Sequence, residues 1–560
     1  MRAKRAIKKE KNNILKNIIT VIILGAIIVW ILSIAPNYKK TGLEDKLNLV
    51  INSSNVTKSL KNDIWIDENN TIYISQDDVK NFFDNNIYYD EQYNQIITTS
   101  DKKVAVIGIG KTDIQVNSGN DKIYAPIIEK DGKYYLPFSE LDDVYNTKTS
   151  YIKEGNTIVI ESLDRELNGA NARKNVNVKV LDTIFSYTVD KINKGDNVYI
   201  LEKQDKWTKV RTAKGKIGYI KTSNLVNEYN IREAITEEKQ IQGKVSLVWD
   251  YYSEYVSAPN REGTSIEGVN VVSPSFYTIE KLGKGEMETN VGDEGKAYIE
   301  WAHNNGYKVW PIVSNNSMID TTSEIMKDYK LREKLINNIV DNAVADGVDG
   351  INIDFENMYA EDKDLFTRFL IELAPRLREV GMVLSVDVTA PDGSDTWSKC
   401  FDRYNIGQVV DYIIFMAYDQ YGASSPKEGT TAGADWVEAN VKKFLGQEGV
   451  EAEKLVLGMP FYTRLWKEEN GEITSNVLAM NEVNEYIPES ANKEWNEELK
   501  QYYVEYIQDG VTYKIWIEDE ESIKAKFDIM NRYQLAGAAY WEKDRETDTL
   551  WSIIKQELEK

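Results

Sequence analysis

Histidine and cysteine are almost absent from this chain of 560 residues, which has His303 and Cys400 as its single residues of each kind. A Ser-His-Asp triad built on any other histidine, a Cys₂His₂ zinc site and an HExxH metalloprotease are therefore excluded. A disulfide bond within the chain is excluded as well. General acid-base chemistry then falls to carboxylates and tyrosines, and we interpret His303 as structural and Cys400 as a small hydrophobic residue.

Positive charge is also scarce, with 68 basic against 90 acidic residues and a formal net charge of −22. Seven of the basic residues lie in the first sixteen positions, so the rest of the chain is still more acidic. Such a chain is a poor partner for nucleic acid, and we expect no nucleic-acid partner. The acidic run at 517–521 lacks the DxDxDG spacing of a calcium loop, so we expect no metal and no cofactor.

The N-terminus combines basic residues with an apolar run. A basic tail at 1–17 precedes the uncharged segment 18–35, whose 18 residues are about what a helix needs to cross a bilayer. The positive-inside rule predicts a single-pass cell-membrane anchor with a cytoplasmic N-terminus, which places everything after Pro36 outside the cytoplasm. A cleaved signal peptide is the alternative, because Ser33 and Ala35 form a small-x-small pair, but Pro36 disfavours cleavage there.

An internal repeat follows within residues 45–163. The segment 71–98 aligns with 133–160 and sets Tyr89 against Tyr151, Asn94 against Asn156 and Ile96 against Ile158. Each unit has the pattern of a strand, a short amphipathic helix, a turn and a strand, which predicts a duplicated α+β domain. The pattern resembles the stalk repeats of the copper amine oxidase N-terminal-like domain, but without histidine in this region copper does not follow.

Residues 171–227 predict a second small module. Short alternating strands are separated by KGD at 194–196 and KGK at 214–216, which is typical of a small β-barrel. The segments KGDNVYIL, KVRT and GKIGYI resemble a bacterial SH3 domain in the expected order. That resemblance implies binding to the cell wall, although a spacer remains the alternative. A polar linker at 228–244 follows.

From residue 245 to 556 the chain alternates short apolar strands with helical patterns. The predicted strands are 246–252, 269–277, 307–315, 350–356, 382–391, 410–419, 455–466 and 535–544. Eight strands over roughly 310 residues match a (β/α)₈ TIM barrel in an α/β fold, although periodicity alone does not separate it from an open doubly wound sheet. A hairpin at Asp509-Gly510 predicts a small α+β insertion between strands seven and eight.

The stretch DGVDGINIDFE at 346–356 alternates polar and apolar residues within this pattern. A period of two places Asn352, Asp354 and Glu356 in the barrel interior and Ile351, Ile353 and Phe355 toward the helices. Two carboxylates on one strand face couple, so one keeps its proton to higher pH, as a general acid requires. A buried polar ladder without chemistry would cost desolvation for no evident gain.

This stretch is similar to the DxxDxDxE signature of glycoside hydrolase family 18, the family of chitinases and endo-N-acetylglucosaminidases. FMAYD at 415–419, GMPFYTRLW at 458–466 and Trp541 resemble the family's motifs at strands six, seven and eight. The resemblance implies substrate-assisted retention, in which the N-acetyl carbonyl of the substrate attacks the anomeric carbon.

The same resemblance implies roles for individual residues. Glu356 would be the acid, Asp354 would orient the acetamide, Tyr418 would bond its oxygen and Trp541 would form the floor under the sugar. Further substrate-binding residues implied by these motifs are Asn352, Asp419, Met416, Tyr462 and Arg464.

One residue departs from the family pattern. Asn352 stands where chitinases usually have the middle Asp, so it can hydrogen-bond Asp354 but cannot share a proton with it. This variant is similar to the spore-cortex-lytic members, which favours peptidoglycan over chitin among glycans that contain N-acetylglucosamine. The alternative is a carbohydrate-binding, lectin-like protein without activity. Five aromatics near strand ends could either stack on sugars or fill the core: Trp249, Tyr251, Tyr277, Trp310 and Trp466.

Overall fold

The computed structural model describes residues 16, 19–30, 41–43, 46–236, 238–253 and 255–560. The chain divides into two compact units, 1–98 with 105–238 and 99–104 with 239–560. The first unit is built mainly of β-strands, and the second contains the alternating strands and helices on which the functional site depends.

The predicted membrane anchor needs correction. The predicted tail apart from residue 16, and residues 18 and 31–35 of the predicted span, lie outside the described residues. The described part of the span, 19–30, is helical. No helix in the described part of the chain is long and apolar enough to cross a membrane. The predicted single-pass anchor, and the location derived from it, are therefore wrong.

The strands between residues 48 and 162 form three sheets. In hydrogen-bonded order the first has Thr147–Ile152, Thr157–Ser162, Asn48–Ile51 and Ser54–Asn55. The second has Ile128–Lys130, Lys133–Pro137, Ile72–Ser75 and Trp65–Ile66. The third has Tyr88–Asp90, Gln95–Thr99, Val104–Gly108, Asp113–Val116 and Gly119–Lys122. Two short helices, Gln76–Phe82 and Asp142–Tyr145, follow equivalent strands of the aligned segments.

The aligned segments share a local hydrogen bond. Tyr89 donates its hydroxyl proton to Asn94 Oδ1 at 2.7 Å, and Tyr151 does the same to Asn156 at 3.0 Å. Both asparagines have left-handed φ angles, 49° and 45°, which this residue type tolerates in tight turns. The resemblance to stalk repeats stays a prediction.

A seven-stranded antiparallel sheet occupies the segment in which the SH3-like module is predicted. Its order is Thr188–Ile192, Val176–Lys179, Ile217–Lys221, Trp207–Thr212, Asn197–Lys203, Leu167–Ala172 and Leu225–Arg232. Its core contains Val178, Val198, Val210 and Ile220. The SH3-like assignment and the domain bounds stay predictions.

The second unit contains a closed barrel of eight parallel strands. They are β1 (Val245–Asp250), β2 (Val271–Pro274), β3 (Lys308–Val309 and Ile312–Ser314), β4 (Gly350–Asp354), β5 (Val383–Val388), β6 (Tyr412–Met416), β7 (Leu455–Pro460) and β8 (Gly537–Trp541). Each strand pairs in parallel with its neighbours, and β8 pairs with β1. This closure distinguishes the TIM-barrel-like α/β fold from an open sheet.

Eight helices belong to this unit among the described residues. They are α1 (Gly292–Asn304), α2 (Ile319–Lys327), α3 (Tyr329–Asp346), α4 (Lys363–Glu379), α5 (Arg403–Val409), α6 (Ala434–Gly446), α7 (Glu520–Arg532) and α8 (Leu550–Leu558). α3 begins after Asp328, whose side chain accepts backbone N–H bonds, and ends at Gly347 with φ of 72°. These caps bring the chain into β4 after a short turn.

Three of the predicted strands are divided, each at or next to a proline. Pro311 cannot donate a backbone hydrogen bond, and β3 is interrupted at 310–311. The predicted strand 455–466 ends at Pro460 in the barrel, and Tyr462–Glu469 continues in a different sheet. The predicted strand 269–277 is likewise divided into β2 and Tyr277–Ile279, which pairs with Met287–Thr289.

The insertion between β7 and α7 is a five-stranded antiparallel sheet. Its order is Glu472–Ala479, Tyr462–Glu469, Val511–Ile517, Gln501–Gln508 and Lys493–Asn496. Asp509 and Gly510 form the predicted hairpin turn, with φ of 53° and 81°.

Candidate active site

The side chains of β4 alternate between the barrel interior and the surrounding helices. Ile351, Ile353 and Phe355 are fully buried in the core shared with the helices, where Phe355 stacks on Phe369 of α4 at 5.7 Å. A Cβ atom on Gly350 would lie 2.6 Å from the Trp310 ring, so only glycine fits beside that interior indole. Asn352 lies on the interior face.

Glu356 lies two residues beyond the end of β4, where Asn315 holds its backbone from both sides. Its N–H donates to Asn315 Oδ1 at 3.0 Å, and its carbonyl accepts from Asn315 Nδ2 at 2.8 Å. The Glu356 carboxyl itself has no hydrogen-bond partner in the described part of the chain. Burial, with the charges of Asp354 and Asp419, raises its pKa to about 8. Glu356 is therefore a protonated acid near neutral pH.

Asp354 borders an open cleft that Tyr251, Tyr277 and Asn316 also line. Its Oδ1 atom is enclosed and has no hydrogen-bond partner among the described residues. Burial raises its pKa well above the usual value, and the charge of Asp387 acts in the same direction. No described cation forms a salt bridge with Asp354.

Asn352 directs its amide toward β5 rather than toward Asp354. Its Nδ2 donates to Asp387 Oδ2 at 2.5 Å, and its Oδ1 accepts from Ser385 Oγ at 2.9 Å. Asp387 is buried, and burial raises its pKa well above the usual value, although the bond from Asn352 partly opposes this. The site therefore contains a fourth carboxylate, beside Glu356, Asp354 and Asp419, that was not predicted from the sequence.

Tyr418 and Asp419 follow the end of β6, where Met416 is buried. Burial and the charge of Asp387 raise the pKa of Tyr418 well above its usual value, so its hydroxyl remains a donor. Asp419 accepts a hydrogen bond from Tyr462 at 2.8 Å and lies 3.8 Å from Arg464. Arg464 also donates to Ser475 of the insertion at 3.1 Å.

Trp541 ends β8 and packs against Trp249 at 5.7 Å and Tyr251 at 5.6 Å. Of the five aromatics with two open interpretations, Tyr251 is 54% exposed. The other four, Trp249, Tyr277, Trp310 and Trp466, are fully buried. Of these five, Tyr251 is the exposed ring that lies beside Trp541.

The opposite end of β4 carries Asp349, the first residue of the signature. Asp349 accepts from Lys308 at 2.8 Å and from the Val309 N–H at 3.0 Å, and it pairs with His303 at 2.8 Å. Burial alone would raise its pKa, but these three bonds lower it. His303 on α1 therefore belongs to a structural cluster, and Cys400 is buried, as the sequence predicts.

Five residues near the site were not predicted from the sequence. The alternation of Ser385 and Asp387 in a predicted strand was an available signal, because it repeats the pattern of β4. Asn315 offers no comparable signal, because its role depends on the break in β3. Glu542 and Arg545, which pair at 2.7 Å after Trp541, also give no periodic pattern. The described residues contain no cluster of His, Cys, Asp or Glu suited to a metal ion.

Comparisons with known proteins identify the family and the fold. The model of Glycosyl hydrolases family 18 matches residues 247–546. The chain is 24% identical over 300 residues to the glycosylase YvbX of Bacillus subtilis, covering 51% of this chain and 84% of that protein. It is 28% identical over 255 residues to the cortical fragment-lytic enzyme of Bacillus anthracis, covering 43% of this chain and 57% of that enzyme.

A solved structure shares the fold. The spore cortex-lytic enzyme SleL of Bacillus cereus superposes with a TM-score of 0.50 at 20% identity, covering 60% of this chain and 77% of that one. Barrels of this type carry their chemistry at the carboxyl ends of their strands. Five of the predicted site residues lie at or near such ends: Glu356, Asp354, Asn352, Tyr418 and Trp541.

Proposed function

Because this chain belongs to glycosyl hydrolase family 18 and is a glycosidase, we propose that it cleaves β-1,4 linkages in glycans that contain N-acetylglucosamine. Peptidoglycan is the favoured substrate, and chitin oligomers are a related one. The observation that carries the proposal is Glu356, an acid with a raised pKa that stands at the mouth of the barrel above Asp354.

Glu356 donates its proton to the glycosidic oxygen as the bond breaks. A general acid works best when its pKa is close to the working pH, and burial places Glu356 in that range. Since Asn315 fixes the backbone of Glu356 on both sides, the carboxyl has a defined position.

Asp354 orients the substrate's acetamide and stabilises the positive charge that develops on it. The acetamide carbonyl oxygen attacks the anomeric carbon, the bond to the leaving oxygen breaks, and an oxazolinium ion forms that water then opens. Because the nucleophile belongs to the substrate, both carboxylates can come from one strand, and no carboxylate about 5 Å across the cleft is required.

Tyr418 and Trp541 complete the site. The Tyr418 hydroxyl stays protonated and donates to the acetamide oxygen. Trp541, supported by Trp249, forms an apolar floor under the distorted sugar. Asp419, Tyr462 and Arg464 form one linked side of the cleft and contact the sugar from there.

The preference for cell-wall glycan has two supports. The cortical fragment-lytic enzyme, to which the chain is 28% identical, is named for cortical fragments. The predicted SH3-like segment at 171–227 is of a kind that binds cell walls. The match covers 57% of that enzyme, and the experiment below therefore compares peptidoglycan with N-acetylglucosamine oligomers.

The test uses the full chain with purified peptidoglycan and, separately, with N-acetylglucosamine oligomers, and mass spectrometry identifies the products. Glu356→Gln is the catalytic control, and Asp349→Asn is the matched control at the other end of the strand. New N-acetylglucosamine reducing ends with wild type and Asp349→Asn, but not with Glu356→Gln, are expected. Equal sugar binding by wild type and Glu356→Gln without cleavage would instead indicate a lectin.

A further inference from the structure

The structure contains a buried carboxylate, Asp387, to which the proposed mechanism gives no role. Asp387 is 2% exposed and lies on the interior face of β5, in the same layer as the catalytic carboxylates. Burying a carboxylate is costly unless charge partners or hydrogen bonds compensate. No described cation forms a salt bridge with Asp387, so its position needs an explanation.

Strand register places Asp387 beside Asp354. β4 and β5 are parallel, and their pairs are Asn352 with Ser385 and Ile353 with Val386. The next pair in register is Asp354 with Asp387, and both side chains point inward because side chains alternate along a strand. Neighbouring strands lie about 4.8 Å apart, so the two carboxyl groups are adjacent.

Both carboxyl groups have one oxygen without a partner. Asp387 Oδ2 accepts from Asn352, which Ser385 in turn fixes, while Asp387 Oδ1 and Asp354 Oδ1 are buried and have no hydrogen-bond partner among the described residues. One proton between the two groups would satisfy both oxygens. Two ionised carboxylates in this position would satisfy neither.

We propose that Asp387 shares one proton with Asp354 and is thereby a positioning residue that keeps Asp354 able to carry the negative charge. The inference rests on the proposed function for its consequence in catalysis. When the proton moves from Asp354 to Asp387, the covalent O–H bond on Asp354 breaks and one forms on Asp387. Asp354 is then a carboxylate and accepts a hydrogen bond from the acetamide N–H. Asp387 thus supplies the partner that Asn352 cannot be.

Other groups around the pair do not supply this partner. From β4 and its end, Glu356 adds a further acidic group, and from the end of β6 Tyr418 adds a neutral hydroxyl. From β1 the Trp249 indole lies against Asp387 without completing a hydrogen bond to it. The nearby Asp250 is paired with Arg261 at 2.8 Å and accepts from Tyr298 at 2.9 Å, so it is already neutralised.

The pH dependence of catalysis tests the inference. In a pair that shares a proton, the first ionisation is easy because the neighbour's O–H stabilises the new carboxylate. Asp387→Leu has no donor for Asp354, so that help is lost and the acidic limb of kcat/KM should move up by about one pH unit, which is a tenfold loss of rate on that limb. The double variant Asn352→Asp with Asp387→Leu places a second carboxyl group on the strand of Asp354 and should restore the limb. Asp349→Asn is the matched control and should leave the limb unmoved.

Two results would overturn the inference. One is an Asp387→Leu profile whose acidic limb coincides with that of wild type while only the overall rate falls. The other is a shifted limb that the double variant does not restore, since that would indicate a structural role only.

A titration of wild type without substrate tests the shared proton separately. It depends neither on the folding of the variants nor on the proposed function. Titration by ¹³C NMR of aspartate carboxyl carbons should show two resonances that move together in two shared steps. Two independent single-step titrations would contradict a shared proton. If wild type cleaves no glycan while the resonances are coupled, the proposed function fails and the shared proton stands.

Discussion

The two ends of strand β4 carry carboxylates in opposite electrostatic states. At the start of the strand, Asp349 accepts bonds from Lys308, His303 and a backbone N–H, and its pKa is lowered. At the far end, Asp354 and Glu356 have no cationic partner among the described residues, and their pKa values are raised. At one end of the strand an ionised carboxylate therefore stabilises the fold. At the other end the carboxyl groups would destabilise the fold if they ionised.

The difference follows from what each end must do. Barrels of this type are stabilised at the amino-terminal face of their strands and carry their chemistry at the carboxyl-terminal face. A paired carboxylate is a poor acid because its partner holds it ionised, whereas a desolvated one keeps its proton until substrate arrives. Substitutions and pH changes at the two ends of β4 test this difference in pKa. The predictions below begin with the largest expected effect.

Glu356→Gln should have the largest effect on activity. Gln has no proton to donate to the leaving oxygen, so kcat should fall about 10³-fold, within the range for general acids. Steady-state kinetics on N-acetylglucosamine oligomers measures this. Binding of the oligomers by calorimetry should stay within a few-fold of wild type, and a kcat that is unchanged would remove Glu356 from the mechanism.

Asp354→Asn should reduce kcat about 10²-fold, because it removes the charge that stabilises the developing oxazolinium ion. The same kinetic assay applies. The effect should appear mainly in kcat, since the charge matters most in the transition state. A change confined to KM would mean that Asp354 only binds substrate.

The alkaline limb of the rate reports on Glu356 directly. Its raised pKa of about 8 means that the acid is lost as pH rises through that value, so kcat/KM should fall about tenfold for each pH unit above it. A pH series on wild type measures the limb. An alkaline limb with a midpoint near the pKa of a free Glu would contradict the conclusion that burial raises the pKa of Glu356.

Stability should respond to pH in opposite ways at the two ends. Because folding raises the pKa of Glu356, its ionisation costs stability as pH rises from about 4.5 to about 8, so Glu356→Gln should be about 1–3 kcal/mol more stable than wild type at pH 7 and equal to it below pH 4. Folding lowers the pKa of Asp349, so its contribution is present above its unfolded pKa and is lost as pH falls. Asp349→Asn should lose about 1 kcal/mol at pH 7 and keep kcat/KM within about twofold. Denaturant unfolding at several pH values measures both, and equal shifts for the two variants would contradict the contrast.

The interior face of β4 could be predicted from sequence because strand alternation fixes it. The coupling between Asp354 and Glu356 could be predicted for the same reason, while the role of Glu356 as the acid stays a proposal. Asp387 was missed although Ser385 and Asp387 alternate in the same way, since its importance appears only when register places it beside Asp354. Asn315 and the Glu542–Arg545 pair depend on a broken strand and a loop, which have no period to detect. The membrane span was predicted from the basic tail and the apolar run, and no helix in the described part of the chain is long and apolar enough to cross a membrane.

The configuration of the first product tests the central claim most directly. If the carboxylates of one strand act with a nucleophile from the substrate, hydrolysis of an N-acetylglucosamine oligomer releases the β-anomer first, which proton NMR follows before mutarotation. Retention is the predicted result. Release of the α-anomer would mean that water attacks directly, and it would contradict the proposed roles of Asp354 and Glu356 in catalysis.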